Sequence, residues 1–212
     1  MTRMMNRRMF LATAGTAVTA VLTSCATTEG PLAKAAAQPA KPHPPNGAMQ
    51  LYVALPEERF PVPAVDLTDL GPEFYRRRVD YTTPEAPGTV IVDTQTRYLF
   101  HVEEGGTATR YGVGIGQAGF AWAGRAHIAY GREWPTWTPP REMIERHPGL
   151  EKWKSGQPPG INNALGARAL YIHQGNRDTL YRLHGTGEAR TIGRAVSSGC
   201  VRLLHPDIIH LY

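Results

Sequence analysis

The clearest alternation of apolar and polar residues lies in the second half of the chain, from Gly88 onward. Three runs rich in β-branched and aromatic residues, at Thr89–Val92, Tyr98–Glu103 and Thr109–Gly114, predict strands separated by turn-forming residues. Further along, the segments ALYIHQ and TLYRLHG flank the turn sequence GNRD and predict a hairpin. This pattern predicts a mostly β fold class.

Only one or two short helices are expected beside these strands. The segment from Pro140 to Arg146 begins with proline, a residue favoured in the first turn of a helix. The C-terminal sequence HPDIIHLY has Pro206 in its first turn and predicts a second helix. The segments REWPTWTPP and KSGQPPGINN are rich in proline, glycine and asparagine and predict loops.

The chain divides into four parts by composition. Residues 1–25 have a basic start followed by an apolar stretch, which predicts a secretory signal peptide. Residues 26–48 are dominated by Ala, Pro and small polar residues and predict a disordered tether. Frequent prolines in residues 49–86 predict an extended arm packed across the domain, with a short helical turn near Pro72–Arg77. Residues 87–212 remain as the main domain.

The predicted leader contains one of the two cysteines of the chain. Its segment NRRMFL resembles a twin-arginine signal, and LTSC resembles a lipobox in which Cys25 becomes the lipidated first residue of the mature protein. Ordinary cleavage after Ala26 is the alternative. We expect an exported, periplasmic protein attached through Cys25 to a membrane, the outer membrane being favoured by the absence of aspartate after the cysteine, with export by either the Tat or the Sec route.

Charge and composition argue against nucleic acid as a partner. The net charge of +5 includes three arginines of the predicted leader, and the longest basic run elsewhere is RRR. A basic stripe interleaved with aromatic residues, as nucleic-acid recognition uses, is absent from the sequence. We therefore expect no nucleic-acid partner.

Cys200 and His184 form the strongest candidate for chemistry. Once the leader is set aside, Cys200 has no second cysteine with which to form a disulfide in an oxidising compartment. A thiol is a modest nucleophile until it is ionised, and a nearby imidazole can take its proton and later give it to a leaving amine. His184 ends a predicted strand, and the carbonyl of Gly185 is placed to orient its ring.

Small residues around the cysteine favour the same chemistry. The turn Ser198–Gly199–Cys200 allows a substrate carbonyl to approach backbone N–H groups that could serve as an oxyanion hole. Arg202, two residues further on, could hold a substrate carboxylate or pin the loop. A buried, inert cysteine in a glycine-rich turn is the alternative interpretation.

Two other sites deserve comparison with this one. The glycines of GIGQAG, from Gly114 to Gly119, match a dinucleotide-binding spacing, but the following residues lack a helical pattern, which favours a strand end and a turn. A metal site formed by His173, His184 and Cys200 is the second possibility, although ligand pairs at metal-binding spacing are lacking in the sequence. We expect no metal.

The segment YRLHGTGEARTIGRAVSSGCVRLLHPDIIHLY resembles the active-site region of the L,D-transpeptidase catalytic domain family, of the YkuD type. The family signature is His-Gly followed, after a loop, by Ser-(His or Ser)-Gly-Cys-(Ile or Val)-Arg. It falls here on His184–Gly185 and on residues 197–202. The segments PGTVIVDTQTRYLFHV, RYGVGIG, WPTWTPP and LGARALYI also resemble members from Gram-negative bacteria, so the resemblance covers the chain from about residue 49 to the end.

The resemblance implies a β-sandwich domain that needs no cofactor and acts on peptidoglycan stem peptides. The thiol would attack the carbonyl of the third stem residue and release the terminal D-alanine. The thioester would then be resolved by the amine of another stem, by a lysine of an outer-membrane lipoprotein, or by water. The implied roles are nucleophile for Cys200, general base for His184, orienting carbonyl for Gly185, oxyanion turn for Ser198 and Gly199, and loop or substrate support for Ser197 and Arg202.

The chain departs from the family at two places. Many members have histidine where this chain has Ser198, so a role of that second imidazole does not transfer. Members also commonly continue past IIHLY with the rest of a helix and a last strand, so a natural end at Tyr212 would leave the sheet without an edge strand, and a truncated sequence is the other explanation. Two functions of other classes stay open: a wall-binding lipoprotein that has lost the chemistry, and a periplasmic zinc hydrolase.

Overall fold

A computed structural model of the protein describes residues 47–117, 123–197 and 199–212. The predicted leader with Cys25, nearly all of the predicted tether, the last two residues of the GIGQAG run, and Ser198 lie outside the described residues. Within the described part, no helix has the length and apolar character needed to cross a membrane.

Strands dominate the described chain, as the hydrophobic pattern predicts. The strands are β1 (Arg77–Asp80), β2 (Val90–Asp93), β3 (Tyr98–Glu103), β4 (Thr107–Gly112), β5 (Ile115–Gly116), β6 (His127–Glu133), β7 (Arg168–Gln174), β8 (Arg177–Thr186), β9 (Ala195–Ser197) and β10 (Val201–Leu204). Two α-helices accompany them, α1 (Arg141–Arg146) and α2 (His205–Leu211). Short 3₁₀ helices span Ala48–Tyr52, Leu67–Asp69, Pro72–Phe74, Pro148–Trp153 and Ala189–Thr191.

The first sheet is a four-stranded antiparallel sheet with the order β1-β4-β3-β2. Its strand β3 has the predicted bounds. The predicted third strand, Thr109–Gly114, is wrong at its end, because the chain leaves this sheet after Gly112 and Gly114 pairs with Arg202 instead. Strand β1 lies within the predicted arm and is not foreseen, since its sequence RRVD carries no strand-like apolar alternation.

The second sheet has the order β10-β8-β7-β6. The predicted hairpin is confirmed as β7 and β8, which pair antiparallel with Gln174 opposite Arg177. Strand β10 joins the other side of β8 in parallel, a pairing that requires a crossover. Strand β6 is not predicted, because it is exposed along most of its length and shows no alternation. Its last two residues, Arg132 and Glu133, correct the start of the predicted loop REWPTWTPP. A separate parallel pair, β5 with β9, is also unpredicted because both strands have only two or three residues.

The core lies between the inner faces of the two sheets. Leu99 and Tyr111 of the first sheet pack in one cluster with Leu183 and Leu203 of the second, and Ile208 of α2 completes it. Burying a side chain of this size stabilises the fold by about 1.5–3 kcal/mol. This arrangement confirms the mostly β, sandwich-like fold class with two short helices.

The N-terminal arm is tied to the C-terminal helix by a buried polar network. The Tyr52 hydroxyl accepts a hydrogen bond from the backbone N–H of Arg76 at 2.7 Å and lies 3.3 Å from Asp207 Oδ2. The Arg76 guanidinium lies 3.5 Å from Asp207 Oδ1. Residues preceding β1 are therefore connected directly to the helix that follows β10.

Candidate active site

Cys200 lies at the end of the turn that leads from β9 into β10. In the parallel pair of β8 and β10, Val201 lies opposite Leu183 and Arg202 opposite His184. Leu183 belongs to the core, so His184 faces the other side of the sheet, which we call the outer face. Cys200 and Arg202 share that face with His184, and Cys200 is its diagonal neighbour.

His184 is held in one orientation by its own strand. The ring is buried, and Nδ1 lies 3.0 Å from the carbonyl oxygen of Gly185. A carbonyl only accepts hydrogen bonds, so Nδ1 carries the proton in the neutral ring and Nε2 is left as the acceptor. His184 therefore keeps Nε2 unprotonated on a strand next to β10, which begins directly after Cys200. The thiol itself lies 3.8 Å from the carbonyl oxygen of Leu180, to which it donates.

Burial keeps both groups neutral at rest. It lowers the pKa of His184 to about 4, although the hydrogen bond to the Gly185 carbonyl raises this pKa; Arg202 and His205 lower it by smaller amounts. Burial also raises the pKa of the Cys200 thiol, an effect partly opposed by a backbone hydrogen bond from Arg182 and by the positive charges of Arg182 and Arg202. Ionisation of the thiol must therefore be coupled to proton transfer, for which the neutral imidazole is suited.

Two glycines, Gly199 and Gly116, shape the turn before Cys200. Gly199 has φ of 138°, a conformation that favours glycine. A Cβ on Gly116 of β5 would overlap the backbone nitrogen of Gly199 and lie 2.6 Å from the carbonyl oxygen of Ser197. Ser197 Oγ donates a hydrogen bond of 2.8 Å to the carbonyl of Cys200. Gly116 thus supports the turn from behind, a role its place in GIGQAG does not reveal.

Arg202 is paired within the protein. Its Nη1 lies 3.2 Å from Oε2 of Glu188, in the segment that connects β8 to β9. Of the two roles predicted from the sequence, this contact corresponds to pinning of the loop.

A cavity of about 530 Å³ gives access to the thiol. Cys200 lines it together with Tyr171 and Arg182 of the second sheet, and Met143 and Arg146 of α1 form another part of its wall. Arg182 is fixed by two contacts of 2.7 Å with the carboxylate of Asp178. These residues are not predicted from the sequence, although Arg182 precedes His184 by two positions and therefore shares its face.

A second, more apolar cavity of about 470 Å³ lies between the two sheets. Val90 of the first sheet and Leu183 and Val201 of the second contribute to its wall. Gly199 and Tyr181 line both cavities, so the two cavities are neighbours at the turn that carries Cys200.

The hypothesis of a metal site at His173, His184 and Cys200 receives no geometric support. Among the described residues, no group of three or more His, Cys, Asp or Glu side chains is placed to hold a metal ion. His173 instead lies 4.0 Å from Asp178 across the β7–β8 hairpin.

A β-sandwich that brings a partly exposed thiol and an oriented, neutral histidine to one sheet face defines a cysteine-histidine type of site. The model of the family described as L,D-transpeptidase catalytic domain matches residues 87–212. The chain belongs to this family.

Individual proteins agree with this assignment over part of their length. The chain is 33% identical over 133 residues to the probable L,D-transpeptidase ErfK/SrfK of Escherichia coli K12, covering 59% of this chain and 40% of that protein. It is 34% identical over 130 residues to the probable L,D-transpeptidase YbiS of the same organism, with the same coverage. The chain thus spans about 40% of the length of these relatives.

A solved structure is similar to this chain over a larger share of the chain's length than these relatives are. A crystal structure from Brucella melitensis, described as a probable carnitine operon oxidoreductase, is 42% identical, with a TM-score of 0.52. The match covers 69% of this chain and 91% of that one.

Proposed function

We propose that this protein is a peptidoglycan L,D-transpeptidase that uses Cys200 as its nucleophile. The observation that carries the proposal is the oriented His184, whose Nδ1 is bound to the Gly185 carbonyl and whose Nε2 is left to accept a proton on the face of Cys200. Family membership and the names of the relatives support the substrate class.

The first half of the reaction transfers an acyl group to the enzyme. His184 Nε2 takes the thiol proton of Cys200 while the sulfur attacks the carbonyl carbon of the third stem residue. Backbone N–H groups of the turn at Gly199 stabilise the oxyanion. The C–N bond to D-alanine then breaks, and the protonated His184 gives its proton to the leaving amine. The product is a thioester on Cys200.

The second half returns the enzyme to its starting state. An acceptor amine attacks the thioester carbonyl and gives its proton to His184, and the released sulfur takes that proton back. The acceptor is the diamino acid of a second stem, which forms a 3→3 crosslink, or a lysine of an outer-membrane lipoprotein. Water as the acceptor would make the enzyme a carboxypeptidase.

The description of the Brucella melitensis structure as a probable oxidoreductase offers a different activity. In the present chain, however, the first two glycines of the run, Gly114 and Gly116, have close partners within the fold. A Cβ on Gly114 would lie 2.6 Å from the carbonyl oxygen of Thr191, and Gly116 packs against Gly199. This packing supports a role of the glycine run in building the cysteine turn.

Location is proposed from the sequence. The predicted leader and the lipobox-like LTSC support a periplasmic protein anchored through Cys25. Incorporation of labelled fatty acid into the wild type but not into Cys25→Ala is expected, and equal labelling of the two would contradict the anchor.

The activity is tested with the purified full chain and a disaccharide-tetrapeptide, with products followed by mass spectrometry. Cys200→Ala is expected to abolish loss of D-alanine, whereas Cys25→Ala, which removes the other cysteine of the chain, leaves it unchanged. A 3→3 dimer would identify a stem as the acceptor, and a free tripeptide product without a dimer would indicate hydrolysis. Release of D-alanine that stops at one equivalent of enzyme would indicate that a protein acceptor is missing from the mixture. Binding of the substrate without release of D-alanine by the folded wild type would contradict the proposal and favour a binding protein.

A further inference from the structure

A second buried histidine packs directly behind the peptide that orients His184. His205 begins α2 and is only 3% exposed. A Cβ on Gly185 would lie 2.7 Å from Nδ1 of His205, and a Cβ on Gly166 would overlap its Cε1. The imidazole edge of His205 therefore rests against the residue whose carbonyl receives the Nδ1 proton of His184.

Two hydrogen bonds donated by backbone N–H groups hold the surroundings of the Gly185 peptide in place. The backbone N–H of Ala167 donates to Nδ1 of His205 at 3.4 Å, so Nδ1 is an acceptor and Nε2 carries the proton. The backbone N–H of Gly185 donates to the carbonyl of Leu165 at 3.0 Å. The loop at residues 165–167 and the ring of His205 thus hold Gly185 from two sides.

An apolar side chain could fill the space that His205 occupies. Its Nε2 is buried and has no hydrogen-bond partner among the described residues, which carries a free-energy cost that an apolar side chain of similar size would avoid. The ring nitrogen that makes a polar contact is Nδ1, which accepts the hydrogen bond from Ala167. The edge of the same ring contacts Gly185. Burial also lowers the pKa of His205 to about 4, so this acceptor is available at neutral pH.

We propose that His205 is a positioning residue that acts on His184 through Gly185. By anchoring the 165–167 loop and packing on Gly185, it keeps the Gly185 carbonyl aimed at Nδ1 of His184. His184 is thereby confined to the tautomer with a bare Nε2, the form that accepts a proton from Cys200. The proposal rests on the proposed role of His184, but the geometry of the histidine pair can be tested without any peptidoglycan reaction.

Full-chain variants in a Cys25→Ala background separate this role from simple packing. His205→Phe fills the space but lacks the acceptor, whereas His205→Asn places its side-chain oxygen near the position of Nδ1. His210→Phe is a matched control, because His210 lies on the same helix and makes one ring hydrogen bond, to Tyr111, away from Gly185. Thermal unfolding reports on whether each variant is folded.

Two readouts do not depend on the enzymatic activity. Nuclear magnetic resonance of isotope-labelled imidazole nitrogens reports the tautomers of His184 and His205, and iodoacetamide reports the reactivity of Cys200. The wild type is expected to show Nδ1–H on His184 and Nε2–H on His205. His205→Phe is expected to mix the tautomers of His184 and to slow alkylation, His205→Asn to restore both, and His210→Phe to change neither.

Turnover completes the test. Because a small misplacement of a catalytic group can cost on the order of 100-fold in rate, His205→Phe is expected to lower kcat about 10- to 100-fold with KM within about twofold. A folded His205→Phe protein that keeps a single Nδ1–H tautomer on His184 would overturn the proposal, as would Nδ1–H on His205 in the wild type. If His205→Phe does not fold, His205→Leu takes its place in the same comparison. Wild-type tautomers as expected, without any reaction on muropeptide, would reject the proposed function and leave the positioning role standing.

Discussion

The outer faces of the two four-stranded sheets carry similar aromatic and arginine side chains, but only the second sheet adds a reactive thiol and imidazole. On the first sheet, Tyr81 stacks on Phe100 with ring centroids 4.4 Å apart. Arg110 lies over the ring of Tyr98 at 4.2 Å. These side chains alternate with the core residues of their strands, and the described part of this face carries no cysteine.

The second sheet repeats this construction and adds reactive groups. Tyr130 stacks on Tyr171 at 4.4 Å, and Arg182 lies over the ring of Tyr171 at 4.2 Å. His184 and Cys200 continue the same face.

Stacked aromatic rings with an arginine over one of them thus cover the outer face of both sheets, and this arrangement is not in itself evidence of a ligand site. The distinguishing feature is strand direction. The first sheet is entirely antiparallel, whereas β10 joins β8 in parallel. A parallel neighbour must return by a crossover, and here the crossover ends in the turn that delivers Cys200 beside His184.

The largest difference between the faces is expected on removal of the base. His184→Gln should lower kcat/KM about 1,000-fold with little change in melting temperature, because general-base catalysis contributes about 10²–10⁴-fold. His173→Gln is the matched control, since His173 lies on the same sheet at the hairpin and should stay within about twofold of wild type. Equal losses in both variants, measured by D-alanine release, would remove the distinction between His184 and an ordinary sheet histidine.

The network that connects the arm before β1 to the helix after β10 should respond to pH. Burial raises the pKa of Asp207 to about 7, against the opposing effects of Arg76 and Tyr52. Because the folded state keeps a proton that the unfolded chain releases, this contribution to stability is complete below about pH 4 and is lost as the pH rises through 7.

The test compares wild type with Asp207→Asn by urea unfolding between pH 5 and pH 8. The free energy of unfolding of wild type, relative to the variant, should fall by on the order of 3 kcal/mol between pH 5 and pH 8. Titration of His184 and His205, present in both proteins, cancels in the difference. A pH-independent difference between wild type and Asp207→Asn would contradict the assignment.

Two glycines separate general packing from support of the active turn. Gly116→Ala would overlap the backbone of Gly199. Gly112→Ala, on strand β4 of the first sheet, would place Cβ 2.6 Å from the carbonyl oxygen of Phe74, which lies in the 3₁₀ helix Pro72–Phe74. Overpacking of this kind costs about 1–3 kcal/mol, so both variants should lose stability in urea. Only Gly116→Ala should also lower kcat of the folded protein, by about tenfold. Equal kcat values in the two variants would show that the turn tolerates the displacement.

The smallest effect is expected from the two arginines that lie over tyrosine rings. Arg182→Ala and Arg110→Ala should each lose about 0.5–1 kcal/mol of cation–π stabilisation. The charge of Arg182 lowers the pKa of Cys200, so its removal should also slow alkylation of Cys200 at neutral pH a few-fold in a Cys25→Ala background. Similar alkylation rates in both variants would indicate that Arg182 contributes only through its contact with the Tyr171 ring.

Much of the local structure could be read from the sequence. Alternation along β3 and along the β7–β8 hairpin predicts strands, because a half-buried strand imposes a period of two on its own residues. Prolines at the starts of α1 and α2 mark both helices. The reactive residue types, Cys200 and His184, were also recognisable, since their chemistry depends on side-chain identity.

Contacts between segments that are far apart in the chain leave no comparable pattern in the local sequence. Strand β6 was missed because its exposed positions have no apolar alternation, and β5 and β9 because they are too short to show one. The packing of Gly116 under Gly199 and of His205 against Gly185 joins residues far apart in the chain.

The sequence by itself therefore determined the β-rich character of the domain and the identity of its reactive thiol and imidazole, because both are properties of local residue types and their spacing. Only the tertiary structure decided that β10 runs parallel to β8 and that α1 and Arg182 form walls of the cavity at Cys200. The packing of His205 against Gly185 was likewise decided by the tertiary structure. These features depend on which segments meet across the fold, and the burial that follows from that meeting sets the protonation of the site.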